Sequence, residues 1–202
     1  MLKNINVSVS PHIRAKDTTT SIMLDVCIAL LLPLAAGVYT FGIRALVVIL
    51  VCVASCVLSE FLFQKLMKQK TTINDLSAVV TGLILALNLP ANVPLWQAVI
   101  GSVFAIIVVK CLFGGLGKNV VNPALTARVF MLVAFSSLAQ VSFPVDATAG
   151  ATPLVSIAEG NVPALMELFL GKTGGSIGET CSLALLIGGV YLIVRKVITW
   201  HI

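Results

Sequence analysis

Charged side chains are what this sequence lacks most. Of its 202 residues only 13 are Lys or Arg and 8 are Asp or Glu, while 58% are hydrophobic and the mean hydropathy is +1.07. A water-soluble domain carries roughly one quarter charged residues. A single aqueous core is therefore excluded, and a bilayer is the solvent that suits such a chain. Histidine is nearly missing: His12 and His201 stand alone, and no spacing of a haem or zinc site occurs. No basic cluster alternates with aromatics, so the net charge of +5 gives no support to nucleic-acid binding. No Ser/His/Asp set is present, and no residue is assigned a catalytic role. The first twenty residues are not read as a secretory signal. The opening "MLKNINVSVSPHIRAKDTTT" is polar throughout and sets no apolar core behind its first charges. "GKTGG" at Gly171–Gly175 imitates a phosphate-binding loop, but Met166 stands where the leading glycine is needed, and neither the strand nor the helix of that motif flanks it.

Long apolar runs are what the sequence has instead. A span needs about 20 apolar residues, and six segments are predicted, giving an all-α polytopic membrane protein. They lie near Ile22–Tyr39, Ile43–Phe63, Leu76–Leu89, Leu95–Phe113, Pro123–Ala139 and Thr180–Ile198. "YTFG" closes the first. Asn74 or Asp75 is expected to cap the third, which Pro90 ends, and Asn122 is expected to cap the fifth ahead of Pro123. The organisation read from this is a polar N-terminal segment (1–20), five helices (21–139), a polar loop (140–179) and a sixth helix (180–202). The loop holds "VPALMELFL", read as a short stretch lying along the interface. Segments three and five are short and interrupted, which is the usual pointer to a site inside a membrane protein. Five spans followed by a sixth suit the first half of an inverted repeat, and the ending "ITWHI" suggests a fragment of a longer protein.

Orientation follows from the basic residues. With the N-terminus in the cytoplasm, Lys3, Arg14, Lys16, Lys65, Lys68, Lys70, Lys110, Lys118, Arg128, Arg195 and Lys196 fall on or near the cytoplasmic side, and only Arg44 and Lys172 outside. The loop 140–179 is then extracytoplasmic.

Few residues remain to carry chemistry. Asp25, read as lying in the first turn of the first span, either binds a translocated cation or is an acid favoured by the helix N-terminus. Glu60 is similar, with Lys65 as its expected neutralising partner. Arg128 requires an anion, a carbonyl or water; it either binds a phosphate, carboxylate or flavin carbonyl, or snorkels to the cytoplasmic interface. Cys52 and Cys56 share a helix face, but no second pair stands at metal-ligand spacing, and small apolar packing accounts for all five cysteines. No metal site is assigned. Last comes "DATAGATPL", Asp146–Leu154. Its small residues leave the Thr152 hydroxyl open to a large reagent, and free amides in such a loop can cradle a phosphate. An ordinary small-residue loop, with Thr152 capping the residues after it, is the other reading.

Six blocks, "SPHI", "MLDVCIALLLP", "LSAVVTGLILALNLP", "GGLGKNVVNPALTARVF", "DATAGATPL" and "GGSIGETCSLALLIGG", occur in an order that resembles the D subunits of Rnf complexes, ion-translocating ferredoxin:NAD oxidoreductases. The chain is more distantly similar to the B subunit of the sodium-pumping NADH:quinone oxidoreductase. The resemblance implies a fold like that of ammonium and urea transporters, ten helices in two inverted repeats, of which this chain holds one repeat and the start of the second. It implies FMN joined through its phosphate to the last threonine of the motif Asp, two variable residues, Ser or Thr, Gly, Ala, Thr. On this chain Asp146, Gly150, Ala151 and the acceptor Thr152 match. Ala149 departs from the pattern, and Thr148 is the hydroxyl nearest to the one missing. A flavin transferase using FAD makes the bond on the extracytoplasmic side. The implied function is electron carriage from ferredoxin towards NAD, coupled to outward movement of Na+ or H+ in the inner membrane. The implied partners are the covalent-FMN G subunit and the membrane A and E subunits. A noncovalent riboflavin is a further implied cofactor. Asn122, Thr126, Arg128 and Thr81 are expected to face the core beside segment three, contacting flavin or lining an ion path. A channel or transporter of the ammonium or urea type, without redox work, is the alternative; it leaves "DATAGAT" without a use.

Overall fold

A computed structural model describes residues 18–135, 157, 165–171 and 174–201, and every regular element among them is helical. In chain order these are α1 (Thr19–Phe41), α2 (Ile43–Leu66), a 3₁₀ turn (Ile73–Asp75), α3 (Ser77–Leu87), α4 (Leu95–Cys111), α5 (Pro123–Ala134), α6 (Leu165–Leu170) and α7 (Ser182–Val194). α1 and α2 are long and apolar enough to cross a membrane. α3, with 11 residues, rises only about 16 Å, roughly half of a bilayer's hydrocarbon core. The helix is only part of the third segment, whose two ends lie at the two ends of α2: Lys110 joins Ser77 to Glu60, and Arg44 Nη2 donates to the Val93 carbonyl at 3.4 Å.

The predicted punctuation holds except at the start of α3, where Leu76 and not Asn74 or Asp75 is the cap residue. Gly42, at φ 73°, lets α1 end and α2 begin within one residue. Thr18 caps α1 through a reciprocal box with Ser21. Asn122 Oδ1 accepts from the amides of Ala124 (3.0 Å) and Leu125 (3.4 Å), with Pro123 at the first helical position. Such a cap contributes about 1 kcal/mol. The start of α3 is built differently from a simple cap. Leu76 adopts φ 62°, turning the chain sharply out of the 3₁₀ turn. Asp75 Oδ1 thereby reaches both the amide (2.8 Å) and the hydroxyl (2.5 Å) of Ser77. A left-handed leucine persists only where its surroundings over-determine it.

α2 is central and packs against α1, α3 and α4; α5 packs on α3 and α4, and α7 lies on α1. The core is made of Ala45, Val48, Cys52, Leu85, Ala98, Ala105, Ala127 and Met131, all fully buried. The α2–α3 contact is close enough to require glycine. A Cβ on Gly82 would stand 2.8 Å from Val53 Cα and 3.2 Å from the Cys52 carbonyl oxygen. Both obstacles are backbone, so no rotamer relieves them. Gly82→Ala is expected to cost roughly 1–3 kcal/mol by overpacking, read as a lowered midpoint in thermal unfolding of the purified protein.

At the other end of α3, the amides of Ile177 and Gly178 donate to the carbonyls of Leu89 (3.1 Å) and Leu87 (2.8 Å). They satisfy acceptors that a helix end leaves open and tie the segment before α7 to α3. α7 is anchored on α1 by Arg195, whose Nε and Nη2 each donate to the Asp25 carboxylate at 3.1 Å, and by Tyr191 Oη, which donates to it at 3.0 Å. The sequence reading puts Asp25 in a first turn. With α1 starting at Thr19, Asp25 lies one turn further in, where the helix N-terminus no longer neutralises it, and a side-chain cation from a distant helix does so instead.

Candidate functional site

The chain's one fully buried ion pair among the described residues lies between α2 and α4. Lys110 Nζ donates to Glu60 Oε2 at 2.8 Å, and each residue is 1% exposed. Burying two charges costs several kcal/mol per ion unless every lone pair and proton is occupied. Here most are. Lys110 also donates to Ser77 Oγ at 2.6 Å, and Ser77 donates its own hydroxyl proton to Asp75. Glu60 Oε1 accepts from Gln64 Nε2 (3.2 Å) and from Thr72 Oγ1 (3.3 Å). Gln64 in turn holds Thr72 through its hydroxyl (2.7 Å) and its amide (2.9 Å). The network runs from Thr72, which is exposed, to the buried ammonium.

The backbone of α4 explains how a lysine comes to point inward. Its second half, Phe104–Cys111, is π-helical, a form that concentrates at functional sites. Ala98, Ser102, Ile106 and Lys110 recur every four residues and are all buried. A turn of 3.6 residues would carry that series around the helix, and the wider π turn brings its last member back to the core.

Beside this pair is a pocket of about 140 Å³, lined by Ser77, Thr81, Lys110, Asn119 and Asn122 together with Met23, Val80, Ile84, Leu116 and Pro123. The starts of α3 and α5 meet there. Both present helix N-termini, whose partial positive charge adds to that of Lys110. One polar atom of the lining is unsatisfied: Asn119 Oδ1 is buried and has no hydrogen-bond partner among the described residues. A buried acceptor without a donor calls for an explanation. The pocket thus offers cationic and amide donors around one open acceptor, on an otherwise apolar wall, which is the usual composition of a small-molecule site.

The sequence-predicted residues are only partly brought together. Thr81 and Asn122 both line this pocket, Thr81 buried with its hydroxyl donating to the Ser77 carbonyl at 2.8 Å and Asn122 exposed rather than facing the core. Thr126 donates its hydroxyl to the Asn122 carbonyl (2.8 Å) within its own helix. Arg128 is elsewhere. It is half-buried, it lies within electrostatic reach of Glu179, and its Nη1 is buried with no hydrogen-bond partner among the described residues. Glu179 adjoins Gly178, which is bonded to the far end of α3. Arg128 therefore points away from the pocket, neither towards Thr81 nor towards the side of Asn122. Glu60 is paired with Lys110 and not with Lys65, which instead lies over the Phe61 ring at 5.8 Å. Cys52 and Cys56 are packed in the core, Cys56 Sγ approaching the Ser102 carbonyl oxygen at 4.0 Å. Asp146, Thr148, Gly150, Ala151 and Thr152 lie outside the described residues.

Sequence reasoning misses Lys110, Ser77 and Asn119 as site residues. A signal for the first is present. In "FAIIVVKCLFGG" the lysine interrupts an apolar run, and a cation in such a place requires a partner. Lys110 is thus a buried group and not a surface marker of topology; without it and Arg128, the bias of the basic residues keeps its direction.

Residues 6–202 match the family described as NQR2, RnfD, RnfE. Over 208 residues the chain is 50% identical to the D subunit of the Na(+)-translocating ferredoxin:NAD(+) oxidoreductase complex of Acetobacterium woodii, with 98% of this chain and 65% of the relative covered. It is 39% identical to the D subunit of the proton-translocating ferredoxin:NAD(+) oxidoreductase complex of Clostridium ljungdahlii, covering 99% of this chain and 66% of that one. With the D subunit of the ion-translocating oxidoreductase complex of Alcanivorax borkumensis the identity is 37%, covering 96% and 66%. The chain spans about two thirds of the length of these curated relatives.

Proposed function

This chain belongs to the NQR2, RnfD, RnfE family of membrane proteins, and from that premise we propose that it is an electron-transfer subunit of an Rnf-type complex carrying FMN on Thr152. The observation that carries the reading is the family match, which takes in both the "DATAGAT" loop and the pocket residues. In this reading the FMN moiety of FAD passes to the Thr152 hydroxyl with release of AMP, by the action of a flavin transferase. Asp146, Gly150 and Ala151 complete the recognition motif, and Thr148 serves in place of the hydroxyl lost at Ala149. The loop faces the extracytoplasmic side of the bacterial inner membrane and the N-terminus the cytoplasm. The fold is the first part of a transporter-like pair of inverted repeats. The G subunit and the membrane A and E subunits are its electron-transfer and structural partners, and electron flow between ferredoxin and NAD drives Na+ or H+ across the membrane. Asp25 and Glu60 are the acids of an ion path, now with Arg195 and Lys110 as their resting partners.

A second, noncovalent flavin, riboflavin, belongs to this reading; at about 140 Å³ the pocket between α3 and α5 admits the polar edge of its ring and not the whole molecule. The polar edge of its ring presents two carbonyls flanking one N–H. The pocket presents the complement: Asn119 Oδ1 is the open acceptor, while Lys110 and the amides of Asn119 and Asn122 are donors. Val80, Ile84 and Leu116 supply the apolar wall. Bound there, the flavin supplies one- and two-electron chemistry; the chain supplies orientation, charge and exclusion of water.

Asn119→Leu removes the open acceptor and fills its space. The expected outcome is loss of acid-releasable riboflavin, separated chromatographically from FMN, from the purified complex, with the covalent FMN of this chain retained. Unchanged riboflavin in that variant contradicts the placement.

A further inference from the structure

We propose that Arg128, Thr180 and the N-terminus of α7 form a site for a phosphodiester, the one that joins FMN to Thr152. The site rests on the covalent-flavin reading given above. Its basis is a pair of buried polar atoms with the same need. Arg128 Nη1 and Thr180 Oγ1 are both buried and have no hydrogen-bond partner among the described residues, and Thr180 as a whole is only 4% exposed. A guanidinium can only donate, and a hydroxyl can donate as well, so one oxygen-rich acceptor answers both. A buried donor left without an acceptor is costly and calls for an explanation.

The two atoms belong to one corner of the fold. Arg128 stands between Ala124 and Met131 on α5, and both of those are buried, so it shares the inward face of its helix. It lies within electrostatic reach of Glu179, and Thr180 is the next residue of the chain. Gly175 faces both of these: a Cβ there would stand 3.5 Å from Thr180 Cγ2 and 3.7 Å from Glu179 Oε2. Just beyond Thr180, α7 begins its 13 residues with no side-chain cap, and the open amides of a helix start favour an anion. Glu179 does not neutralise Arg128 by contact. It is exposed, it accepts from the Ser176 amide at 3.3 Å, and it forms no ion pair among the described residues. A guanidinium, a hydroxyl and a helix start suit a phosphate group, and a phosphodiester brings one negative charge to meet one guanidinium. In sequence, Thr152 falls between Arg128 and Thr180, in the segment that connects α5 to this corner. The level of the membrane agrees. Ile177 packs closely on Gly37, one turn from the end of α1 at Phe41, which is the extracytoplasmic end when the N-terminus is in the cytoplasm.

The test is solid-state NMR of the purified complex, made with its partner subunits and the flavin transferase in a host fed isotope-labelled arginine. The phosphorus signal to follow is the one that Thr152→Val removes. In wild type the arginine nitrogens dephase that signal, which reports direct contact. In Arg128→Lys, which keeps the charge, the dephasing is lost while the fluorescent band of this chain on a denaturing gel remains. In Thr180→Val the arginine contact stays and the phosphorus resonance shifts. Valine matches threonine in shape, so this second variant keeps the test open where lysine on α5 prevents folding. A signal that labelled arginine leaves undephased, that Arg128→Lys dephases equally, or that Thr180→Val leaves unmoved overturns the site alone. Dephasing of a phosphorus that survives Thr152→Val but not Arg128→Lys gives the site to a lipid headgroup and overturns its assignment to FMN. A wild-type chain without a fluorescent band overturns the covalent-flavin reading, and the site with it.

Discussion

Thr152→Val abolishes the covalent flavin of this chain. In protein made alongside its partner subunits and a flavin transferase, a denaturing gel viewed under ultraviolet light shows a fluorescent band for wild type and none for the variant. Valine has nearly the volume and branching of threonine and lacks only the hydroxyl. The loop therefore keeps its backbone preferences and loses the one nucleophile the attachment needs. The effect is all or none, because Ser156 and Thr148 stand outside the last position of the motif. Thr148→Val serves as the control. It keeps the band at reduced intensity, as suits a residue that aids recognition in the place of the hydroxyl missing at Ala149. A channel without redox work predicts no band in any of these proteins.

The second large effect is on stability. Glu60→Ala leaves the Lys110 ammonium buried with only the Ser77 hydroxyl to receive it. Removing one member of a buried pair typically costs about 3–5 kcal/mol, so a drop of that size is expected in denaturant unfolding of the purified protein. Glu60→Leu combined with Lys110→Met removes both charges for apolar groups of similar length, and recovers most of the loss. Recovery is what separates an uncompensated charge from a mere cavity, since a cavity at Glu60 is not refilled by changing Lys110.

Much of the fold is legible in the sequence because helix ends are written locally. Asn122 and Pro123, Pro90 and Gly42 each act on their own backbone, and each does what its residue type dictates. The partners of the buried acids are not legible, for two physical reasons. On a helix, residues three and four apart are neighbours. Lys65, five beyond Glu60, points elsewhere, while Gln64, four beyond, makes the contact. The true cation, Lys110, is 50 residues away in sequence, and Arg195 is 170 from Asp25. Such pairs follow from which helices pack, and the apolar faces that decide this look alike in a chain made for lipid. The π-helical half of α4 has no sequence signature either, yet it sets the direction of Lys110. Thr81 and Asn122 come to line one pocket because α3 and α5 are both short and their starts meet. Arg128 shares a helix with Thr126, but six residues past Asn122 it belongs to another level of the protein.

One mass spectrum decides whether this chain carries FMN on Thr152. Trypsin cleaving after Arg128 and Lys172 releases the segment from Val129 to Lys172, which contains that threonine and no internal Lys or Arg. From a host with the flavin transferase, the peptide is predicted to be heavier by FMN less one water, with fragmentation placing the addition on Thr152. The same peptide at its unmodified mass, or modified at another residue, contradicts the assignment.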